Sequence, residues 1–280
     1  MFSFKIVADS SADLINFKTN IPFKSVPLKI ISGENEFSDN KALDVKEMVD
    51  FLQNYKEKTT TACPSVQNYL DAFSGSKNII CVTITGTLSG SYNSACIAKD
   101  EYIRMHPDSK VYVINSLSAG PELKLIVEKA IELNSKGYKF EKICTELDLY
   151  LNNTGLAFSL ECLNNLARNG RVNPVVAKAA GLLGIRIVGK ASEVGDLKPL
   201  DKPQGEKRAY AKLFDRMISE GYNGGKARID HCFNENGAKT VKQYILKQFP
   251  KADVKIDITY GLCSFYAEKG GMLVGFEKQI

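Results

Sequence analysis

NIICVTITGTLSGSYNSA, residues 78–95, joins an apolar segment to a loop that is rich in Ser, Thr and Gly. The run from Ile79 to Val82 is typical of a buried strand, and residues 91–105 have the spacing of a helix. The loop between them therefore leads from a strand into the first turn of a helix. It either caps that helix or cradles an anion, because the first amides of a helix lack internal partners.

Three further segments place small hydroxyl side chains near the predicted end of a strand or start of a helix. They are Asp9-Ser10-Ser11, residues 59–65 and Asn115-Ser116. The carboxyl ends of parallel strands meet at one edge of a sheet, where open α/β folds bind their ligands. Together the four segments predict a site for an anion or carboxylate that is held by neutral donors.

The first half of the chain alternates strands with helices, which predicts a mostly parallel, doubly wound sheet. The expected strands are residues 4–8, 23–31, 79–84 and 110–114, and the expected helices are residues 13–19, 44–56, 64–73, 91–105 and 121–135. Asp44 is the expected N-cap of its helix.

After about residue 150 the helices pair less regularly with strands, which predicts a C-terminal α+β domain. The expected strands are residues 155–160, 185–188, 227–232, 253–259 and 272–276, and the expected helices are residues 163–168, one that ends at Ala180, 206–220 and 238–248. A hairpin is expected before Leu200, and Asn169-Gly170 is typical of a helix C-terminus. The predicted domains are residues 1–152 and 153–280.

The composition is that of a globular protein, since 44% of the 280 residues are hydrophobic and 25% are charged. The 37 basic and 32 acidic residues give a net charge of +5 and are spread along the chain, so we expect no nucleic-acid partner. No segment approaches the ~20 apolar residues of a membrane span, and no signal peptide is evident. We therefore expect a cytoplasmic protein without integral membrane association.

Metal and nucleotide sites have little support in the sequence. The seven Cys residues are scattered without a Cys-x-x-Cys pair and there are only two His residues, so we expect no metal site. The glycine-rich motifs of nucleotide-binding loops are absent.

A serine nucleophile is the alternative chemistry, because GTLSG at residues 86–90 loosely resembles the Gly-x-Ser-x-Gly motif of hydrolases. Ser89 holds the fourth position of that segment, whereas the motif has its Ser at the third. His106 lies beyond the far end of the following helix, and His231 belongs to the second half, so we expect no base near Ser89. A small hydrolase or acyltransferase nevertheless stays the alternative to a binding protein, and a regulatory interaction protein is a third interpretation.

Five segments carry a resemblance to a known family. They are IVADSSADL at residues 6–14, Thr61-x-x-Pro64-Ser65, TLSGSYNSA at residues 87–95, Asn115-Ser116, and Leu166-x-x-Asn169-Gly170-Arg171. In this order and spacing they resemble the DegV family over nearly the whole chain. The resemblance implies a two-domain, non-catalytic protein that encloses one long-chain fatty acid, such as palmitate, and needs no other cofactor. It further implies that a fatty acid kinase phosphorylates the bound carboxylate.

The resemblance also assigns roles to residues. It implies that Thr61 and Ser89, with Gly90, hold the fatty acid carboxylate, and that Arg171 handles the head group or the kinase. Further head-group or partner contacts are expected from Asp9, Ser10, Ser116 and Tyr266.

Two positions depart from the pattern of the family. Residues 264–271 contain no His where family members often have a His-Thr-Gly-Pro-Gly type segment, and Tyr266 is expected to replace it as a donor. Gln204 stands where a basic Lys-x-Arg stretch would have its Arg.

Overall fold

The computed structural model describes residues 2–178, 180 and 184–278. In chain order, the first half contains β1 (Phe2–Asp9), β2 (Phe23–Val26), β3 (Lys29–Ser32), β4 (Asn35–Ser38), α1 (Val45–Asn54), β5 (Thr59–Ala62), α2 (Val66–Phe73), β6 (Ser76–Thr83), α3 (Ser91–Met105), β7 (Lys110–Asn115), α4 (Pro121–Ser135) and α5 (Phe140–Leu151). The second half contains β8 (Thr154–Leu160), α6 (Asn164–Arg168), α7 (Pro174–Ala177), β9 (Ile187–Ala191), β10 (Leu197–Asp201), α8 (Glu206–Ser219), β11 (Tyr222–His231), α9 (Glu235–Gln248), β12 (Val254–Ile258), α10 (Gly261–Ala267) and β13 (Met272–Lys278).

The first half is built around a parallel sheet with the strand order β2-β1-β6-β7. Val7 on β1 faces α2 and α3 and packs with Tyr69 and Tyr102. Ile6 faces the opposite side, where Leu123 and other apolar residues of α4 and α5 cover the sheet. The sheet is therefore covered by helices on both faces, which confirms the predicted doubly wound architecture.

Two predictions in the first half are wrong. Residues 23–31 form two strands in different sheets, because the chain turns at Pro27, which has no N–H to donate to a ladder. Residues 13–19 form no helix: Ser10–Ala12 makes one 3-10 turn, and Asp13 ends it in the left-handed region at φ 53°. In contrast, the predicted Asp44 cap is confirmed, since its side chain accepts a hydrogen bond from the Glu47 amide.

A small antiparallel sheet with the order β4-β3-β5 was not predicted. Its Ile30, together with Met48 of α1, packs into the same core as Phe158 and Phe265 of the second half. The small sheet and α1, which belong to the first half, therefore pack against the second half.

The second half contains a mixed sheet with the order β10-β9-β8-β13-β11-β12, in which only β11 and β12 pair in parallel. Helices α8 and α9 pack on one face. The α+β prediction and the hairpin of β9 and β10 are confirmed. Of the helix expected to end at Ala180, the structure describes α7, and residue 179 lies outside the described residues. The boundary at residue 152 stays a prediction.

Helix α4 joins the two sheets. Every residue from Pro121 to Val127 is buried, because one face of the helix meets the parallel sheet and the other meets β11 and β13. A Cβ at Gly275 of β13 would lie 2.5 Å from the amide nitrogen of Glu122, so glycine permits this close approach.

Among the described residues, no helix combines the length and apolarity needed to cross a bilayer.

A buried arginine ties α4 to the mixed sheet. Arg228 of β11 is 1% exposed and donates from Nη2 to Glu128 Oε2 of α4 at 2.6 Å. It also donates to Asp253 Oδ2 at 2.8 Å. Removal of the arginine would take its donors from Glu128, which is 20% exposed and would keep Lys255 at 3.6 Å, and from Asp253, which is 48% exposed.

We expect Arg228→Ala to lower the free energy of unfolding by about 2 kcal/mol, because it removes charge-assisted hydrogen bonds made by a buried guanidinium. Urea denaturation measures this loss. Lys255→Ala is the control, since Lys255 lies 3.6 Å from the same Glu128 carboxylate with 58% of its side chain exposed and should contribute less than about 1 kcal/mol. Equal losses in both variants would contradict the role of burial.

Candidate functional site

An apolar cavity lies where the loops of the parallel sheet face α10 and the strands β8 and β13. The cavity and its opening contain about 660 Å³ free of protein atoms, of which about 60 Å³ can hold the centre of a water-sized sphere. Aliphatic and aromatic side chains form most of its wall, among them Leu28, Leu156, Phe158, Leu160, Leu262 and Leu273. Polar side chains in the described lining come from Thr61, Ser89, Arg171 and Tyr266.

Ser89 reaches the cavity from the loop between β6 and α3. The amides of Leu88 and Ser89 both donate to the Thr85 carbonyl, at 3.2 and 3.3 Å, which closes a tight turn. Ser89 Oγ accepts a hydrogen bond from the Ser91 amide at 3.3 Å. Ser89 therefore satisfies the first amide of α3, whose N-cap is Gly90, and also lines the cavity.

Gly90 precedes α3 and is not part of the described lining. A Cβ at this position would lie 3.1 Å from the Cys63 sulfur, so a larger residue would push the segment after β5 away from the Ser89 loop. Gly90 therefore lets these two segments approach each other.

Thr61 enters the cavity from β5 of the small antiparallel sheet. The prediction that its segment lies at the edge of the parallel sheet is wrong, although Thr61 and Ser89 do line the same cavity. The hydroxyls of Thr61 and Tyr266 are hydrogen bonded at 2.8 Å. Burial raises the pKa of Tyr266, so its hydroxyl stays protonated and able to donate.

Arg171 follows α6 at a turn that the sequence predicted. Gly170 adopts φ 71° and the Arg171 amide donates to the Leu166 carbonyl at 2.8 Å, which ends the helix. The guanidinium donates from Nε to the Leu88 carbonyl at 2.9 Å and from Nη1 to the Asn169 carbonyl. Arg171 is therefore held next to the Ser89 loop by neutral carbonyl groups.

Comparison with known families explains this arrangement. A sequence model of the DegV family, described as uncharacterised proteins, matches residues 3–279. The chain belongs to the DegV family. A DegV domain-containing protein of Streptococcus pneumoniae is 44% identical over 278 residues, which is 98% of this chain and 99% of that protein.

Solved structures of the DegV family share the fold. The Fatty Acid Kinase (Fak) B3 protein of Streptococcus pneumoniae, solved with linoleic acid, has a TM-score of 0.97 at 44% identity and covers 99% of this chain and 100% of its own. A DegV family protein from Eubacterium eligens, solved with heptadecanoic acid, has a TM-score of 0.96 at 41% identity, again with 99% and 100% coverage.

Asp9 lies behind the Ser89 loop and is not among the described lining residues of this DegV family member. Its carboxylate is 1% exposed and accepts hydrogen bonds from the Ile84 amide at 2.9 Å and from Ser91 Oγ at 2.6 Å. Ser11 Oγ is a third donor, at 2.5 Å. Burial raises the pKa of Asp9, while these donors act in the opposite direction. Asp9 therefore fixes the loop that carries Ser89.

Ser10 and Ser116 also lie outside the described lining. Ser10 Oγ accepts a hydrogen bond from the Leu28 amide at 3.0 Å and so holds the chain between β2 and β3. Ser116 Oγ donates to the Ser118 carbonyl and accepts from the Ser118 amide, both at 3.1 Å. Both hydroxyls are used within the protein to shape neighbouring loops.

The cavity offers no base to Ser89, because its described lining contains no His, Asp, Glu or Lys. His106 packs against the Tyr102 ring at the far end of α3, with a centroid distance of 4.6 Å. His231 Nδ1 accepts a hydrogen bond from the Asn234 amide at 3.1 Å, outside the cavity. The described residues also contain no group of His, Cys, Asp or Glu side chains arranged to bind a metal.

Sequence reasoning missed α10, which supplies Leu262, Cys263, Tyr266 and Ala267 to the cavity. Its seven residues are too few for a clear helical period. Its N-terminus is also capped by side chains that are remote in sequence, so no local capping signal marks it.

Proposed function

We propose that this protein binds one long-chain fatty acid, such as palmitate, between domains formed by residues 1–152 and 153–280. The observation that carries the proposal is a cavity with an aliphatic wall and a small group of hydroxyl and guanidinium donors. The acyl chain would lie along β8 and α10, and the carboxylate would meet Thr61 and Ser89, with Gly90 shaping the loop beneath it. The fatty acids bound to the Fak B3 and Eubacterium eligens proteins support this assignment.

The energetics favour such a ligand. Each methylene group moved from water into an apolar wall contributes about 0.8 kcal/mol, so a long acyl chain supplies most of the affinity. A carboxylate that leaves water needs hydrogen-bond donors, and charge-assisted bonds contribute roughly 1.5–3 kcal/mol each. Tyr266 is the proposed third hydroxyl at this end, because its hydroxyl is hydrogen bonded to that of Thr61.

We further propose that the protein presents the carboxylate to a fatty acid kinase in the cytoplasm and catalyses no reaction itself. The name of the Fak B3 protein supports a kinase partner. Arg171 is the proposed contact of the phosphorylated head group or of the kinase. Asp9, Ser10 and Ser116 are proposed to act through the loops they hold, because their side chains already bond within the protein.

The proposed carboxylate site predicts the effect of removing its hydroxyls. Thr61→Ala and Ser89→Ala should each weaken fatty acid binding by about tenfold, because each removes a charge-assisted hydrogen bond. Titration with a fluorescent fatty acid measures this. Thr60→Ala is the matched control, since neighbouring residues of a strand point to opposite faces. Normal affinity in the Thr61/Ser89 double variant would refute the site.

The proposed role of Arg171 predicts a difference between binding and transfer. Arg171→Ala should slow phosphorylation of the bound acid by the kinase more than it weakens binding, because a phosphoryl group gathers more negative charge than a carboxylate. The measurements are acyl-phosphate formation and fatty acid affinity. Arg168→Ala, an exposed arginine of α6, is the control. Equal phosphorylation rates with and without Arg171 would contradict this role.

The proposal also distinguishes a carrier from a hydrolase. Solvent extraction followed by mass spectrometry should recover about one fatty acid per protein chain. A fluorophosphonate probe should not label Ser89, because the described lining holds no base to take its proton. Stoichiometric labelling of Ser89, together with turnover of acyl esters, would favour the hydrolase.

A further inference from the structure

The wall helix α10 is held at its N-terminus by two buried carboxylates from the first half of the chain. Asp39 Oδ1 accepts from the Gly261 amide at 2.7 Å, and Oδ2 accepts from the Leu262 amide at 3.0 Å. Asp13 Oδ1 accepts from the Tyr260 amide at 2.8 Å. These acids therefore fix the helix that carries Tyr266 and several apolar residues of the cavity.

Asp13 also meets a third buried carboxyl, Asp230 of β11. When both groups are ionised, Asp13 Oδ2 and Asp230 Oδ2 have no hydrogen-bond donor, although both atoms are buried. Because each of these acids shifts the pKa of the other, the two carboxyls lie close together, and a proton on one of them would supply the missing donor. The other oxygen of Asp230 accepts from Lys124 Nζ at 2.7 Å. One proton thus completes the bonding of a pair that spans the two halves.

The surroundings of Asp13, Asp39 and Asp230 contain more acidic than basic side chains. Lys124 is the cation that faces Asp13 and Asp230, and its side chain is 4% exposed. Asp257 shares that lysine at 3.2 Å but has 56% of its side chain exposed. The other titratable groups that face the three acids are Asp9 near Asp39, and the Cys232 and Cys263 thiols near Asp13. With all of its acids ionised, this buried region carries excess negative charge.

We propose that Asp13, Asp39 and Asp230 form a proton-dependent latch that positions α10, so that acid tightens the cavity wall and slows exchange of the bound fatty acid. The proposal rests on the fatty acid function proposed above. The side chains of Asp13 and Asp39 act on the cavity wall through the amides at the start of α10, and the Asp39 amide also donates to the carbonyl of the lining residue Leu28 at 2.9 Å, so the three acids are positioning residues.

The direction of the pH effect follows from the linkage between proton binding by the three acids and attachment of α10. Burial raises the pKa of Asp39 to about 6, and burial with repulsion from neighbouring acids also raises the pKa of Asp13 and Asp230. In a state with α10 detached, the same acids would meet water and regain ordinary values near 4. The state with α10 attached therefore binds protons more tightly than the detached state. The stabilisation that proton binding gives to the attached state is complete below about pH 4 and is lost as the pH rises through about 6.

Fatty acid dissociation at several pH values provides the test. Between pH 5.5 and pH 8 we expect the wild-type protein to release a fluorescent long-chain fatty acid about tenfold faster at the higher pH. Asp13→Asn should reduce this ratio to about threefold, because the amide donates to Asp230 without a titrating proton while its oxygen still accepts from Tyr260. Asp230→Asn should act in the same way and serves if the first variant does not fold.

Asp215→Asn is the matched control, because it removes the charge of an α8 carboxylate that is 67% exposed and lies outside the group of Asp13, Asp39 and Asp230. It should keep the tenfold ratio. An identical ratio in the wild-type protein and Asp13→Asn, or a wild-type ratio near one, would overturn the latch.

Amide hydrogen exchange separates failure of the latch from failure of the proposed function. Protection of the Tyr260, Gly261 and Leu262 amides in the lipid-free protein, corrected for intrinsic exchange, should fall as pH rises, and should fall less in Asp13→Asn. This result would support the latch even if no fatty acid bound. Protection independent of pH would overturn it even if fatty acid binding were normal.

Discussion

The buried carboxylate of Asp9 is the interaction on which the polar end of the cavity depends. It stands at the end of β1 and bonds the Ile84 amide after β6 and the Ser91 hydroxyl at the start of α3. Tyr69 OH lies 2.6 Å from the same Ser91 hydroxyl, which brings α2 into the network. Because an unsatisfied buried carboxylate is costly, these elements are held in one arrangement. Ser89 lies between two of the bonded residues and has little freedom to leave the cavity.

Helix α4 has a comparable role between the two halves. A helix that packs against one sheet leaves a polar face to solvent, but α4 is buried on both sides. Its charged residues Glu122 and Lys124 are consequently also buried, and each has a specific partner: Thr154 Oγ1 donates to Glu122, and Lys124 donates to Asp230. Ala119, which lies just before this helix, lines the cavity, and the remaining cavity wall comes from both halves.

The sequence predicted those elements whose signals are local. Helices α3 and α4 have the predicted bounds, because each begins at a clear change from small or polar residues to helical spacing. The failures have longer-range causes. Residues 23–31 look continuous as an apolar run, and only the assembled fold shows that the segments on either side of Pro27 join different sheets. The N-terminus of α10 is capped by Asp39, more than two hundred residues earlier, and no local pattern reports that contact.

The predictions for the candidate site also divide into some that the structure places at the cavity and some that it does not. The expectation that strand-end loops converge selected Ser89 and the segment with Thr61, which line the cavity, but it also selected Asp9, Ser10 and Ser116, whose polar groups form hydrogen bonds within the loops. The resemblance to the DegV family added Arg171 and Tyr266, which line the cavity from other elements. Composition near a strand end does not distinguish a hydroxyl that faces a ligand from one that holds the backbone, because both need the same residue types.

The choice of donors bears on how a carrier could release its cargo to an enzyme. A buried ion pair between a fatty acid carboxylate and a lysine would pair the charge completely and withdraw it from a partner. Neutral hydroxyls stabilise the carboxylate without cancelling its charge, so the oxygen stays available to attack a phosphoryl group. Arg171 is bound to the Leu88 and Asn169 carbonyls beside the Ser89 loop, so its charge would lie close to the proposed head group while its position is fixed by the protein. Under the proposed function, such an arrangement would let the protein bind mainly through the acyl chain and leave the reactive end for another active site.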